Sequence, residues 1–201
     1  MERDPASVVS AILKGAIAGA IGVWVLDRVS TALYEREGEA EREREAHARP
    51  GGLDPTRNVV TRVAAARGMT LTGDALDRPA LGVHYALGVV PGALYALARG
   101  GRGVSPLAGA ALGLALFVVN DEVLNTAMRL AGPPRAYPWQ AHARGLVAHL
   151  AYGIATDAAL GLAQRLSAPC VEARVAPMPD VSEERPDLTP DMAIPPAPLA
   201  S

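Results

Sequence analysis

Residues 141–164 read "AHARGLVAHLAYGIATDAALGLAQ". The stretch matches the ~20 residues that a helix needs to cross ~30 Å of hydrocarbon, yet it carries His142, Arg144, His149 and Asp157. At helical spacing Gly145, His149, Gly153, Asp157 and Gly161 fall at every fourth position, so they share one narrow stripe of small and polar side chains. An ionised residue at the centre of a membrane helix costs roughly 2.5–3.5 kcal/mol on insertion scales. The stripe must therefore face other helices rather than lipid, and this one segment implies a bundle.

The chain supplies the rest of that bundle. Apolar residues gather in three further blocks, at about 8–33, 80–98 and 106–128, each near the length of a membrane span. Gly and Ala are too frequent for a coiled coil and suit close helix packing in lipid. Pro91 inside the second block is compatible with a membrane helix whose neighbours satisfy the freed carbonyl. The expected fold class is all-α: an integral membrane four-helix bundle occupying residues 1–166. The N-terminal "MERDPASVVSAILKGAIAGAIGVWVLDRV" has mixed early charges and runs into a charged helical extension, so it reads as a retained span and not as a cleaved signal.

Composition narrows the function classes. Lys and Arg number 19 against 21 Asp and Glu, which offers no electrostatic footprint for nucleic acid. Cys170 is the sole cysteine, so neither an intramolecular disulfide nor a cysteine-based metal cluster is available. From Ser167 onward, eight prolines within 35 residues describe a disordered tail over 167–201.

The connecting segments have their own patterns. "EREGEAEREREAHARP" (35–50) pairs Glu41 with Arg44 and Glu45 with Arg49 at helical spacing, so the first helix is expected to continue into water as a solvated, charge-paired extension. "DPTRNVVTRVAAARG" (54–68) has Asp54 at an N-cap, Pro55 at the first helical position and Gly68 as a stop. Val59, Val60 and Val63 share a face, which describes a short amphipathic helix on the membrane surface or capping the bundle. "ARGGRGVSP" (98–106) fits no complete phosphate-loop pattern and reads as a flexible connector. In "GPPRAYPWQ" (132–140), Tyr137 and Trp139 are expected interfacial anchors beside a rigid re-entry turn. Arg144 is expected as a further anchor or as a partner for Asp121 or Glu122. A small excess of Arg and Lys beside the spans on the side of 34–79 and 129–140 places both termini outside the cytoplasm.

The blocks also align with one another. "GAIAGAIGVWVLDRV" (15–29) matches "GAALGLALFVVNDEV" (109–123) without gaps, setting Gly15 on Gly109, Gly19 on Gly113 and Asp27 on Asp121. "HYALGVVPGA" (84–93) matches "HLAYGIATDA" (149–158), setting His84 on His149 and Gly88 on Gly153. Each half reads as a helical hairpin, and a duplication of the parallel kind is the expectation. Gly15, Gly19, Gly88, Gly109, Gly113, Gly145 and Gly153 are the expected helix-packing positions, and faces of this type also allow a homo-oligomer.

Three accounts of the polar residues stay open. Asp, His, Glu and Asn contacts could be helix glue, worth about 0.6–2 kcal/mol each, as in a scaffold or interaction protein. Alternatively Asp27, His84, Asp121, Glu122, His142, His149 and Asp157 form a proton or cation path, since histidine titrates near neutral pH and a neighbouring carboxylate stabilises the imidazolium. A metal-assisted enzyme is the third. Against it, no HExxH occurs and His142 and His149 lie about 10.5 Å apart along one axis, so neither a metal nor another cofactor is expected and no catalytic residue is assigned.

With these residues in view, the chain resembles the YagU-like family of small bacterial inner-membrane proteins, a domain of unknown function. The resemblance is carried by "KGAIAGAIGVWVLDRVSTALYERE" (14–37), "RPGGLDP" (49–55), "VHYALGVVPGALYA" (83–96), "NDEVLN" (120–125) and "GPPRAYPWQAHARGLVAHL" (132–150). It implies a multi-pass protein of the bacterial inner membrane and, through the family's named member, a link to survival in acid. It supplies no activity, substrate or catalytic residue. The functional expectation is proton- or cation-linked transport or pH homeostasis, with the non-transporting scaffold as the alternative.

Overall fold

On the first helix, α1 (Pro5–Tyr34), Gly15, Ala18, Gly19 and Gly22 are buried while Ile17, Ile21 and Trp24 are exposed. This inverts the water-soluble pattern, in which large apolar groups go inside. In lipid the outside is as apolar as any core, so small residues take the helix interface and large ones meet the tails. The same inversion recurs on α4 (Asp74–Arg99), where Gly88, Gly92 and Ala96 are buried and Val90 and Leu94 exposed.

The computed structural model describes residues 4–167. The disordered tail expected over 167–201 lies outside them except for Ser167. Every regular element among the described residues is a helix, and four helices are long and apolar enough to cross a membrane: α1, α4, a third span over Pro106–Ala127, and α7 (Trp139–Leu166). The third span is composite. It begins as α5 (Pro106–Leu116), continues as a π-helix (Phe117–Leu124) and ends in α6 (Asn125–Ala127). α1 and α7 form the central pair, with α4 packed on α1 and α5 on α7. α4 runs unbroken through Pro91.

Backbones approach closely at the glycines. A Cβ on Gly15 would lie 2.5 Å from the Gly92 carbonyl oxygen and 2.6 Å from Ala96 Cβ. A Cβ on Gly109 would lie 2.6 Å from the Gly153 carbonyl oxygen and 2.9 Å from Asp157 Cβ. Neither site has room for a methyl group.

The charged segment after α1 departs from expectation. The helix does not continue into water; it stops at Tyr34, turns, and restarts at Gly38 as α2 (Glu39–Ala48). Helix-end carbonyls need donors, and Arg42 gives N–H bonds to the Glu35 and Glu37 carbonyls at 3.1 and 2.7 Å while lying over the Tyr34 ring. The turn lays α2 back across the bundle end, where Arg44 donates to the Ala136 carbonyl at 3.2 Å. Glu45, expected in water, is buried, though its pair with Arg49 forms at 2.6 Å.

The amphipathic helix forms as α3 (Pro55–Ala65), with Asp54 as N-cap accepting from the Arg57 N–H at 3.0 Å and Pro55 at the first position. It caps the bundle: Val60 packs with Leu76 and Ala80 of α4, and the Asn58 amide donates to the carbonyls of Pro50, Leu53 and Leu130. The buried face is Asn58, Val60 and Ala64, and Val63 is exposed. The need to satisfy three loop carbonyls turns Asn58 inward and rotates Val63 out. Arg62 closes the third span from the same helix, donating to the Met128 and Arg129 carbonyls.

Two outcomes follow from these contacts. Gly15→Ala and Gly109→Ala are each expected to destabilise the protein by about 1–3 kcal/mol in detergent unfolding. Gly82→Ala, where nothing lies within 4 Å, should leave stability unchanged, and equal effects at all three positions would discount close approach as the organising contact. The second concerns Asp54. Burial pushes its carboxyl up, but hydrogen bonds from Thr56 and Arg57 and the Arg57 charge outweigh that and hold it below the usual carboxylate value. Since the unfolded value is about 3.9, the cap contributes fully above about pH 4 and is lost as pH falls through the lower folded value. Hydrogen exchange across α3 should lose protection in that acid window, and Asp54→Asn should remove the step. Protection that ignores acid in the wild type would contradict the cap's role.

Candidate functional site

Both hairpins bring an aspartate to a histidine. His84 Nε2 lies 2.8 Å from Asp27 Oδ1 between α4 and α1. His149 Nδ1 lies 3.7 Å from Asp121 Oδ2 between α7 and the third span. A further pair joins them: His142 Nδ1 is 2.7 Å from Glu122 Oε1. Asp121 and Glu122 are sequence neighbours that serve histidines two helical turns apart on α7. They do so from the π-helix, whose wider turn is a form often found at functional sites. The apolar pattern of "FVVNDEVL" holds no sign of that winding.

The three pairs line a single half-open cavity of about 720 Å³ at the end of the bundle covered by α2, α3 and the 129–138 turn. Its lining includes Asp27, His84, Asp121, Glu122, His142 and His149. α4 and the third span make no extensive interface with each other, and the cavity lies between their facing ends. A separate small cavity of about 40 Å³ shares Leu26, His84, Leu87, Asn120 and His149 with it and reaches Gly88 and Tyr152. The buried Tyr152 hydroxyl donates to the Gly88 carbonyl at 2.7 Å and closes it.

The hydrogen bonds define how each ring holds its protons. His149 Nδ1 donates to the Gly145 carbonyl at 2.8 Å, which leaves Nε2 to take a second proton. His142 meets acceptors at both nitrogens, Glu122 at Nδ1 and the Pro134 carbonyl at Nε2, 3.0 Å away. Only the doubly protonated ring satisfies both. Its edge is held by Tyr137, whose ring stands nearly perpendicular at 6.2 Å and whose hydroxyl accepts from the Gly132 N–H at 3.1 Å. Tyr137 is thus a prop in the cavity wall, while Trp139 is exposed.

Asp157 stands apart from the others. It is completely buried beyond the cavity floor, with Tyr152, Gly153 and Thr156 buried between it and His149. Arg99 Nη1 reaches Asp157 Oδ1 at 2.8 Å, the Tyr95 hydroxyl donates to the same oxygen at 2.7 Å, and the Ser105 N–H donates to Oδ2 at 2.7 Å. Arg99 also donates to the Asp157 and Gly103 carbonyls. The connector expected to be flexible therefore holds a buried guanidinium and the N-cap of α5, since the Ser105 hydroxyl accepts from Ala108 N–H. Of the seven residues expected to form a path, Asp157 alone lies outside the cavity lining. A signal for Arg99 existed: a carboxylate deep in the fourth span needs a counter-ion, and Arg99 ends the second span at the same level.

Arg144 is likewise held by protein groups. Its guanidinium pairs with Glu37 and with Glu45, the latter at 2.7 Å, and lies 5.0 Å from the Tyr34 ring centre. The partners are the carboxylates that the folded-back 35–48 segment delivers, and Asp121 and Glu122 are left to the histidines. Among the packing glycines, Gly19 faces Gly88 and Gly113 faces the His149 backbone, while Gly145 faces the Phe117 ring. Among the described residues no group of three or more His, Cys, Asp or Glu is close enough to hold a metal ion.

Fold and site together define a multi-pass, all-helical membrane protein with a polar chamber at one end and a buried ion-pair seal at the other. Comparison with protein-family models, with curated proteins and with solved structures gives no match.

Removing one partner of a buried ion pair strands the other, at about 3–5 kcal/mol. Asp157→Ala should therefore lower detergent stability by that amount, and Tyr95→Phe by about 1 kcal/mol. Chemical unfolding of the purified variants reads both. A loss for Asp157→Ala no larger than for Tyr95→Phe would mean that water reaches the pair.

Proposed function

We propose that the protein works in a bacterial inner membrane as a proton- or cation-linked carrier or pH-homeostasis factor, with the chamber as its binding site. The resemblance to the YagU-like family, with its acid-survival link, supports the setting. The excess of Arg and Lys beside the spans supports a chamber that faces the cytoplasm.

The observation that carries the reading is how charge is shared around the chamber. Its lining holds six carboxylates, three arginines and three histidines. Arg144 and Arg49 are answered by Glu37 and Glu45, and Arg57 by Asp54 and Asp77. Asp27, Asp121 and Glu122 are left with a histidine each as their ion-pair partner. With the rings protonated the lining is balanced; with the rings neutral these three carboxylates are uncompensated. Protons and a cation therefore compete for one chamber. The seal around Asp157 argues against a permanently open proton wire and in favour of a carrier that moves protons only against another ion.

The scaffold reading has its own support. The Arg99–Asp157 and Arg144–Glu37–Glu45 clusters are buried ion pairs of the kind that lock helices together. The two readings part in proteoliposomes. An imposed cation gradient should drive a pH change inside vesicles holding the wild type, and His149→Gln and Asp121→Asn should abolish it with little change in melting temperature. No pH change under any imposed monovalent or divalent gradient, with the two substitutions altering only stability, would favour the scaffold.

A further inference from the structure

The shape and lining of the chamber bear on what kind of cation it takes. A bare metal ion needs several ligand atoms converging within about 2.0–2.6 Å. Here Asp27, Asp121 and Glu122 are spread over α1 and the third span, and each is engaged with a different histidine. The cavity, at about 720 Å³, falls in the size range of organic-ligand pockets, about 300–1,000 Å³. Its wall is divided by chemistry. Leu26, Leu81, Leu87 and Phe117 give it apolar area beside the carboxylates, and an aromatic face attracts a cation as well as an alkyl group.

Access points the same way. α4 and the third span meet through the 100–105 connector at the sealed end, but they form no extensive interface, and the chamber occupies the space between their far ends. Leu81 and Leu87 of α4 and Leu124 of the third span are exposed near that gap. A ligand with an apolar part therefore finds exposed leucines of the lining, Leu81 and Leu87, beside the carboxylates.

We propose that the chamber binds a small alkylammonium ion, an amine-headed cation with an apolar part, in exchange for histidine protons. This rests on the carrier reading above and names its ligand. The ammonium group supplies positive charge to the part of the chamber that Asp27, Asp121 and Glu122 make negative, without needing all three as ligands, and the alkyl part lies against Leu26, Leu87 and Phe117. Around each ring the facing groups are defined. His84 faces Asp27 on α1 and the Tyr85 ring, and it also feels the Asp121 charge. His149 faces Asp121 and Phe117 of the third span. His142 faces Glu122, Tyr137 and the Pro134 carbonyl. The remaining charges of the wall, on Glu45, Arg49, Asp54, Arg57, Asp77 and Arg144, are paired among themselves or with Glu37.

The test is calorimetric titration of the full chain in lipid nanodiscs with butylammonium, with 1-butanol as its neutral counterpart and with potassium. Butylammonium is expected to bind at about pH 8 with little proton release, to release protons on binding at about pH 6.5, and to bind about ten-fold more weakly at about pH 5.5, on the acid side of the histidine range. Asp121→Asn, and independently Asp27→Asn should the first fail to fold, should each weaken binding by about ten-fold, the loss of one ion-pair contact. Butanol should give no saturable heat. Saturable potassium binding that protons displace, with no response to butylammonium, would overturn the ligand class and leave the carrier reading standing. No saturable heat from either cation at about pH 8 would overturn both, and equal binding of butanol and butylammonium would mean that the carboxylates take no part.

Discussion

Where Gly15 and Gly19 of α1 meet Gly92 and Gly88 of α4, no side chain separates the two backbones. The same holds where Gly109 and Gly113 of α5 meet Gly153 and the His149 backbone of α7. These contacts zip one half of the bundle. Beyond them the facing residues become Leu26, Asp27, His84 and Leu87 on one pair, and Phe117, Asp121 and Gly145 on the other, and the helices separate. The chamber is thus the space left when two glycine-zipped hairpins are propped apart by their polar ends. The seal at Asp157 belongs to the zipped half. There the guanidinium of Arg99 is enclosed by backbone carbonyls and a carboxylate, because no water is at hand to share the charge.

The chamber half has the opposite solution. Charges are kept near water and sorted by permanence. Arginines, always protonated, are matched with carboxylates from the surface segments and the start of α4, while Asp27, Asp121 and Glu122 are matched with histidines. This sorting depends on the turn at residues 35–38. Had α1 run straight on, Glu37 and Glu45 would have been in solvent, and Arg144 would have taken Asp121 or Glu122 from the histidines.

Much of this was legible in the sequence. The spans follow from apolar length alone, and the Asp54–Pro55 start of α3 follows from capping chemistry. That Asp27, His84, Asp121 and His149 share one half of the bundle follows from their depth in antiparallel helices, and their pairwise contacts come from the packing. The features that were not legible depend on contacts between distant segments. Local spacing in "EREREAHAR" accounts for Glu45 with Arg49 but is silent about Arg144, 99 residues away in sequence from Glu45. The glycine-rich "ARGGRGVSP" looks mobile by composition, and only Asp157 in the fourth span shows why it is held. Nothing in "FVVNDEVL" distinguishes a π-helix from an α-helix, because the choice is made by the neighbours that Asp121 and Glu122 reach.

The Arg99–Asp157 pair also constrains the order in which the chain can be assembled in a membrane. Arg99 is made first and stands at the end of its helix, where a long side chain can reach headgroups and water while it waits. Asp157 has no such refuge, since it is short and lies well inside the last span. That helix enters lipid at low cost only where the first three spans are already gathered and Arg99 has been turned inward. The final helix therefore acts as a check on its predecessors: a chain whose second span is misplaced has no site into which the fourth can be released.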